Sequence, residues 1–298
     1  MSAPGLDPAL AAALGALQGV AEFLPISSSG HLALAQQWLG IDPAAAGHTF
    51  NIVVHAGTLL AVLLFYRRDL AALARAALHL GRRQPDPKAS SKQPDPKASS
   101  QRPDPQATPT PAEARALLIA LFVGTLPLAL ALVPTVEQTV ITAEGAPRWI
   151  GAAFLITAAL LAFSHRRRDR TGTRAVPTPW QALAIGLSQL VAILPGISRS
   201  GATMAAALGL GLGRLAAARF SFLLSIPAIL GASLKESLGV WQHGAPAIDP
   251  AAFAVGFLVS FVVGALTLRL LVALLVRVGL LPFVPYLVGL GLAVLAWG

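Results

Sequence analysis

Two short stretches, residues 18–31 and 194–203, interrupt otherwise apolar sequence and carry side chains that can do chemistry. The first contains an amide, a carboxylate, three consecutive hydroxyls and an imidazole, and the second contains a guanidinium flanked by hydroxyls. A planar guanidinium among hydroxyls and free backbone N–H groups binds phosphate or carboxylate oxygens. A serine close to a general base is a candidate nucleophile. Together, these residue types predict a site for an anionic, phosphorylated ligand.

Glu22 is the acidic side chain that falls inside a hydrophobic run, and Gln18 lies four residues earlier on the same helical face. A charge at mid-bilayer costs at least ~2.5–3.5 kcal/mol, so Glu22 should face a cavity or a partner. One interpretation makes Glu22 and Arg199 a structural ion pair. The other places both in a binding site. The small polar residues beside the guanidinium would then line that site: Ser198, Ser200, Gly201 and Thr203.

A run of serines, Ser27 to Ser29, precedes an apolar segment, and His31 stands three residues after Ser28. If a helix begins at Ser28, the two side chains share a face and can act as a nucleophile and its base. The alternatives are a serine that caps the helix and an imidazole that packs in the core. His55 lies within an apolar run, as a core residue or a neighbour of the cavity.

Several established site types are missing from the sequence. It has no Gly-rich P-loop lysine motif, no His-Glu-x-x-His and no metal cluster of Cys and His. The net charge of +9 does not indicate nucleic-acid binding, because the basic residues lie between apolar segments. The residues alone leave two functions open, a lipid phosphatase and a transporter of an organic anion.

The composition predicts an all-α polytopic membrane protein. The 298 residues are 55% hydrophobic and 12% charged, whereas a soluble domain has ~25% charged residues. Apolar runs near spanning length predict about six transmembrane helices. These are expected at about residues 50–66, 116–133, 149–164, 217–234, 251–268 and 280–297.

Four apolar runs beside the polar stretches are too short to cross ~30 Å of hydrocarbon singly. They predict two re-entrant helix hairpins, residues 9–24 with 31–40 and residues 180–194 with 201–212. In each hairpin a Leu-Pro pair ends the first run, which is typical of a helix broken in its middle. The free N–H groups that start the second half-helix suit an anion.

The chain is expected to form two inverted-topology repeats, each with one hairpin and three spans. Residues 1–83 would open the first repeat with its hairpin and one span, and residues 112–175 would close it. Residues 176–298 would form the second repeat. Between them, residues 84–111 contain a nine-residue tandem repeat rich in Pro and Ser, which predicts a disordered linker.

The distribution of Lys and Arg predicts the orientation in the membrane. If the loop at residues 67–115 is cytoplasmic, nineteen basic residues lie on that side and two, Arg148 and Lys235, lie on the other. Arg199 belongs to neither set. The first hairpin then enters from outside and the second from the cytoplasm.

At these positions the sequence resembles the undecaprenyl-diphosphate phosphatase family, integral-membrane enzymes also known as bacitracin resistance proteins. Gln18 and Glu22 match the family's Glu/Gln-x-x-x-Glu pattern. Residues 25–31 match Pro-x-Ser-Ser-x-Gly-His, and residues 195–203 match Pro-Gly-x-Ser-Arg-Ser-Gly-Ala-Thr. The resemblance covers nearly the whole chain outside the tandem repeat.

The resemblance implies hydrolysis of undecaprenyl diphosphate to undecaprenyl phosphate and inorganic phosphate, which recycles the lipid carrier for cell-wall synthesis and confers bacitracin resistance. It also implies a divalent cation, Mg²⁺ or Ca²⁺, and a multi-pass enzyme of the bacterial inner membrane whose site faces the periplasm. The implied partners are the polyprenyl diphosphate lipid and the bilayer, without nucleic acid and with a homodimer left open. The alternative is a transporter or flippase of polyprenyl phosphate or another organic anion.

Carried over by position, the resemblance assigns catalysis to four residues: Glu22, Ser28, His31 and Arg199. It assigns diphosphate binding to six more: Gln18, Ser27, Ser198, Ser200, Gly201 and Thr203. Glu22 is also the candidate metal ligand, although many relatives have Glu where this chain has Gln18, which leaves one fewer carboxylate for a metal. In the expected mechanism Ser28, deprotonated by His31, attacks the terminal phosphorus. The alternative gives His31 the role of nucleophile or water activator.

The charge distribution predicts which loops an impermeant thiol reagent reaches, and the chain has no native cysteine to confuse the result. A cysteine introduced within residues 137–147 should react in intact spheroplasts. One introduced near Gly172 should react only after the membrane is permeabilised. The opposite labelling pattern would reverse the orientation and place the site on the cytoplasmic side.

Overall fold

The computed structural model describes residues 6–41, 48–79, 108–166, 174–243 and 249–297. Regular secondary structure in these ranges is helical, apart from one isolated parallel bridge between Arg174 and Leu212. The prediction of an all-α protein is therefore confirmed. Of the predicted linker, residues 84–107 lie outside the described ranges, and the next helix begins at Pro111.

The described ranges contain twelve α-helices, most of them apolar: α1 (Pro8–Phe23), α2 (Ser28–Trp38), α3 (His48–Phe65), α4 (Arg67–Leu78), α5 (Pro111–Thr125), α6 (Pro134–Glu144), α7 (Pro147–Arg166), α8 (Pro179–Val191), α9 (Arg199–Gly209), α10 (Arg214–His243), α11 (Pro250–Arg277) and α12 (Val284–Trp297). Six of them begin at a proline, whose fixed φ suits the first helical position and whose missing N–H is not needed there. Polar caps reinforce these starts; for example, Asp7 accepts a hydrogen bond from the Leu10 N–H at 2.8 Å.

By length and composition, four helical segments can cross a membrane: Pro111–Leu132, Pro147–His165, Arg214–Gly239 and Pro250–Arg277. A fifth candidate joins α3 and α4, which bend by 76° where they meet. The predicted last span, Leu281–Trp297, is a shorter apolar helix. The described residues therefore give four to five candidate spans by this measure, where the sequence predicted about six.

Two local features differ from the sequence-based expectations. The span expected at residues 116–133 changes at Leu126 into a 3-10 helix, Leu126–Leu132, because Pro127 cannot donate a backbone hydrogen bond. The segment expected as an outer loop at residues 137–147 is largely occupied by helix α6. An apolar run indicates that these residues can lie in a membrane, but it does not show whether they form an α-helix or a 3-10 helix.

The packing joins the two halves of the chain. Helix α1 packs along α11, and α8 packs along α5. Helices α3 and α10 pack on each other, as do α7 and α12. Every one of these contacts joins an element before residue 167 to one after residue 178, so the halves cannot separate without losing most of the core.

Glycines set the distance between the crossing helices. A Cβ at Gly15 on α1 would lie 2.7 Å from the Gly256 carbonyl oxygen on α11. A Cβ at Gly186 on α8 would lie 2.2 Å from the Gly124 carbonyl oxygen on α5. Such close backbone approach is the usual role of small residues between membrane helices.

A buried ion pair ties α4 to α10. Arg219 Nε donates to Asp69 Oδ1 at 2.5 Å, and Asp69 is 3% exposed. The sequence places this region in the basic loop at residues 67–115, and no motif marks Asp69. The bend between α3 and α4 turns Asp69 inward, where removal of either partner would leave an uncompensated buried charge.

The α5–α8 crossing predicts that Gly186→Ala destabilises the protein by about 1–3 kcal/mol, because the added methyl group meets rigid backbone. The measurement is the melting temperature in detergent. Gly231→Ala on α10 is the matched control, since no described heavy atom lies within 4 Å of a Cβ there. Its melting temperature should stay unchanged or rise slightly. Equal losses in both variants would contradict the close-packing interpretation.

Candidate active site

Both polar stretches lie at helix breaks, as the sequence predicted. Helix α1 ends at Phe23 and α2 begins at Ser28, with Ser27 as its N-cap. Helix α8 ends at Val191 and α9 begins at Arg199, with Ser198 as its N-cap. The cap hydroxyls accept backbone hydrogen bonds from Gly30 at 3.4 Å and from Gly201 at 3.1 Å. Each break therefore presents the positive end of a half-helix.

The two breaks meet because glycine occupies their contact points. A Cβ at Gly30 would lie 2.9 Å from the Gly196 Cα, and a Cβ at Gly201 would lie 3.3 Å from the Pro25 Cβ. Ser27 has a φ of +73°, which makes it the only described residue other than glycine with a positive φ. A backbone held in this sparsely populated region costs about 1–3 kcal/mol and is typical of functional sites.

Glu22 is the centre of the polar network. It is 7% exposed, and its Oε1 accepts a short hydrogen bond from Arg199 Nη2 across the two hairpins. Its Oε2 accepts from Ser28 Oγ at 2.6 Å and from Gln18 Nε2 at 3.1 Å. His55 Nε2 on α3 lies 3.8 Å from the same oxygen. Glu22 and Arg199 therefore form an ion pair, and this pair lies inside the candidate binding site, beside the candidate nucleophile and the anion-binding groups.

Arg199 reaches three elements at once. It begins α9, pairs with Glu22 on α1, and donates from Nη1 to the Ser225 carbonyl oxygen on α10 at 3.3 Å. A small cavity lies beside the Glu22–Arg199 pair. Its other walls are two rings and three serines: Phe23, Phe222, Ser200, Ser221 and Ser225.

The remaining hydroxyls of the second stretch lie around the first turn of α9, where Arg199 begins the helix. Thr203 is fully buried, and its hydroxyl contacts the Arg199 carbonyl oxygen at 2.8 Å and Ser221 Oγ at 2.5 Å. Ser198 and Ser200 lie 3.3 Å apart through their hydroxyls. Ser198 and Thr203 therefore hold the start of α9 in place, whereas Ser200 reaches the cavity.

His31 has partners other than the expected one. Its Nδ1 lies 2.7 Å from the Ser27 carbonyl oxygen, and its Nε2 lies 2.7 Å from the Tyr286 hydroxyl at the start of α12. Ser28 instead donates to Glu22. Although Ser28 and His31 share the first turn of α2, the structure gives the serine a carboxylate as its hydrogen-bond acceptor and gives the imidazole a tyrosine.

The donor set for a divalent cation is small. Among the described residues no group of three or more His, Asp or Glu side chains can hold a metal ion. Glu22 is the carboxylate at the site, and Gln18 Oε1 beside it is buried without a hydrogen-bond partner. Mg²⁺ and Ca²⁺ prefer such oxygen ligands, and Mg²⁺ is commonly held by one or two carboxylates together with substrate phosphates. The residues present fit a cation that the substrate helps to bind.

The structure adds groups that the sequence analysis did not place at the site. Tyr286 and Ser225 lie in apolar helices, and no local motif marks them. His55, left open as a core residue or a cavity neighbour, is beside Glu22, and its Nδ1 is fixed at 2.7 Å from the Asn51 carbonyl oxygen. The sequence shows that His55 lies one helical turn after Asn51, but it does not show that His55 lies near Glu22.

Comparison with known proteins gives matches along most of the chain. The family model described as bacitracin resistance protein BacA matches residues 11–293. A protein of Rubrobacter xylanophilus named undecaprenyl-diphosphatase is 37% identical over 283 residues, which cover 92% of this chain and 92% of the relative. Proteins of the same name from Alcanivorax borkumensis and Geobacter sulfurreducens are each 38% identical, over 95% and 98% of this chain and 96% and 98% of their own length.

The family model spans well over half of the residues, and the relatives align over nearly their whole length. The residues that the family model matches contain the two helix breaks and the network around Glu22. The chain belongs to the bacitracin resistance protein BacA family.

Proposed function

We propose that the chain hydrolyses undecaprenyl diphosphate to undecaprenyl phosphate and inorganic phosphate, which recycles the lipid carrier for cell-wall synthesis and confers bacitracin resistance. The observation that carries this function is the meeting of two half-helix N-termini at the Glu22–Arg199 pair, with Ser28 bonded to the same carboxylate. This arrangement combines an anion-binding centre with a candidate nucleophile. The names of the relatives support the same reaction.

The diphosphate would bind at Arg199 and at the two half-helix ends. A guanidinium offers planar paired donors that match phosphate oxygens, and helix N-termini add N–H groups and a favourable dipole. Because Arg199 pairs with Glu22, an arriving phosphate competes for the same donors. Binding would thus release the carboxylate from its ion pair while the Ser225 carbonyl keeps hold of Nη1.

Ser28 is the nucleophile in this proposal, and Glu22 is its base. The Ser28 hydroxyl already donates to Glu22 at 2.6 Å, so the proton has a direct route to the carboxylate. As the Oγ–P bond forms, the bond from phosphorus to the bridging oxygen breaks, and undecaprenyl phosphate leaves with the electron pair. Water then cleaves the phosphoserine. Arg199 and the half-helix ends stabilise the negative charge during both steps.

His31 would activate the water of the second step. It lies on the first turn of α2, as Ser28 does, and a neutral imidazole can accept the proton of an attacking water. The alternative, in which His31 itself attacks phosphorus, uses the same residue but leaves the short Ser28–Glu22 hydrogen bond without a catalytic task.

A divalent cation, Mg²⁺ or Ca²⁺, would be held by Glu22 and by the unpaired oxygen of Gln18, together with phosphate oxygens of the substrate. When bound, such an ion neutralises phosphate charge and orients the leaving group. Gln18 contributes without a second negative charge, so the site remains able to attract an anionic lipid.

We also infer six spans and two re-entrant hairpins, arranged in inverted repeats of residues 1–175 and 176–298. The linker at residues 84–111 lies inside the first repeat and joins its opening part to its closing spans. In this arrangement α1 and α8 are equivalent, as are α5 and α11. The packing of α1 on α11 and of α8 on α5 is what a two-fold relation requires. Helix α12 with its preceding turn, Leu281–Trp297, is about 25 Å long, which spans most of the hydrocarbon layer.

The proposed orientation places the site towards the periplasm of the inner membrane. The charge distribution sets which side is outer, and two ion pairs support its grouping of the loops, because each joins residues assigned to the same side. Lys235 contacts Glu137 at 2.6 Å on the proposed outer side, and Arg219 contacts Asp69 on the inner side. A lipid whose diphosphate lies at the outer surface would then reach the site directly.

Phosphate release from detergent-solubilised protein tests the proposed reaction. Undecaprenyl diphosphate should yield inorganic phosphate, and a chelator should stop the release until Mg²⁺ or Ca²⁺ is restored. A transporter or flippase moves its lipid without producing phosphate. Folded protein that releases none would therefore refute the phosphatase and favour that alternative.

The hydrogen bond between Ser28 and Glu22 predicts non-additive losses. Ser28→Ala and Glu22→Gln should each lower kcat by at least about 100-fold, and the double variant should be about as slow as the slower single variant, because both disable the same step. The measurement is phosphate release at saturating lipid, with melting temperatures to exclude unfolding.

Ser29→Ala is the matched control for this cycle, since the Ser29 hydroxyl contacts Ser27 Oγ at 3.3 Å and has no place in the proposed chemistry. Its kcat should stay within about twofold of wild type. Losses that multiply in the double variant would show that Ser28 and Glu22 act independently. An active Ser28→Ala beside an inactive His31→Ala would transfer the nucleophilic role to His31.

A further inference from the structure

Tyr286 brings the last helix of the chain into contact with the first hairpin. It lies at the start of α12, just after the 3-10 helix Leu281–Phe283. Its hydroxyl is 2.7 Å from His31 Nε2, and the two rings are stacked with centroids 5.8 Å apart and planes 9° apart. The hydroxyl and the nearly parallel ring of Tyr286 therefore both lie beside the same imidazole.

The second partner of His31 fixes which way this hydrogen bond runs. The Ser27 carbonyl oxygen can only accept, so His31 Nδ1, 2.7 Å away, carries the ring proton. The other nitrogen, Nε2, then presents a lone pair, and the Tyr286 hydroxyl donates to it. Together the carbonyl and the tyrosine set both the tautomer and the rotation of the ring.

The difference in burial between His31 and Tyr286 allows another group to replace the tyrosine hydroxyl at His31 Nε2. His31 is 8% exposed and packs against Phe154 with centroids 5.0 Å apart, whereas Tyr286 is 48% exposed. An unpaired Nε2 would be costly in such a place. If water or a phosphate oxygen takes over at Nε2, however, the hydroxyl of the half-exposed Tyr286 can bond to that water or to the substrate instead. The imidazole can thus pass from its resting partner to a reacting one without leaving a buried group unpaired.

We propose that Tyr286 is a positioning residue that holds His31 in its Nδ1-protonated tautomer with Nε2 directed to the site and occupied until substrate or water replaces the tyrosine hydroxyl. This role rests on the proposed function, since it gives His31 its part in the reaction. It makes α12, which contains none of the sequence motifs, a component of the active site.

Two readouts test the role, one chemical and one kinetic. Diethyl pyrocarbonate modifies imidazole nitrogens that present a free lone pair, and peptide mass spectrometry measures the rate at His31. Tyr286→Phe keeps the stacked ring but removes the donor, so modification of His31 should accelerate about three- to tenfold, the equivalent of one hydrogen bond. Exposed His79 is the internal reference and should react equally in all variants. In the phosphate-release assay the same variant should lose about tenfold in kcat with KM within about twofold.

Tyr66→Phe is the matched control because Tyr66 is the only other tyrosine in the chain and packs against Phe65 and Phe222, away from His31. It should change neither readout. In a His31→Ala background, Tyr286→Phe should cause no further loss of kcat, since it acts through the missing ring.

An unchanged modification rate at His31 in Tyr286→Phe would overturn the proposal, as would losses that multiply in the double variant. A wild-type protein that releases no phosphate would refute the proposed function instead, and the modification rates would still decide whether Tyr286 holds His31.

Discussion

The buried ion pair between Glu22 and Arg199 is the interaction on which the rest of the molecule depends. Glu22 is 7% exposed, and removal of one partner from such a pair typically costs 3–5 kcal/mol because the other charge is left uncompensated. The pair can form only if α1, α9 and α10 meet at one point, since Arg199 begins α9 and also binds the Ser225 carbonyl on α10. The fold is thus constrained to bring two hairpins together that are far apart in the chain.

Two physical devices satisfy this constraint. The first half-helices end at Phe23, two residues before Pro25, and at Val191, four residues before Pro195, and serines cap the second half-helices. Glycines then let the elements approach closely, at Gly30 against Gly196 within the site and at Gly186 against Gly124 between α8 and α5. The same features that break the helices also make the proposed anion-binding centre, so the residues that stabilise this region are the ones to which the proposal gives a function.

The hydrogen-bond partners divide the site into two parts. Glu22 accepts from Ser28, whereas Tyr286 and the Ser27 carbonyl contact His31. Such a division suits a two-step phosphoryl transfer, in which one group accepts the proton of the nucleophile and another handles water. It also explains how the first turn of α2 can supply two reactive side chains, Ser28 and His31, that have different hydrogen-bond partners.

The sequence by itself determined the helical class, the two helix breaks and the polar residues that cluster at them, because apolar runs, Leu-Pro pairs and a carboxylate inside an apolar run are local signals. It left two interpretations of Glu22 and Arg199 open, a structural ion pair and a shared binding site, since an isolated charge in an apolar run needs either a partner or a polar cavity. The tertiary structure paired Glu22 with Arg199, decided which group accepts the hydrogen bond of the Ser28 hydroxyl, placed His55 beside Glu22, buried Asp69 at the bend after α3, and brought Tyr286 to His31. It also showed that the apolar run ending at residue 133 is partly 3-10 helix. These features depend on distances and angles between helices, and apolar surfaces of similar composition fix neither until the helices pack.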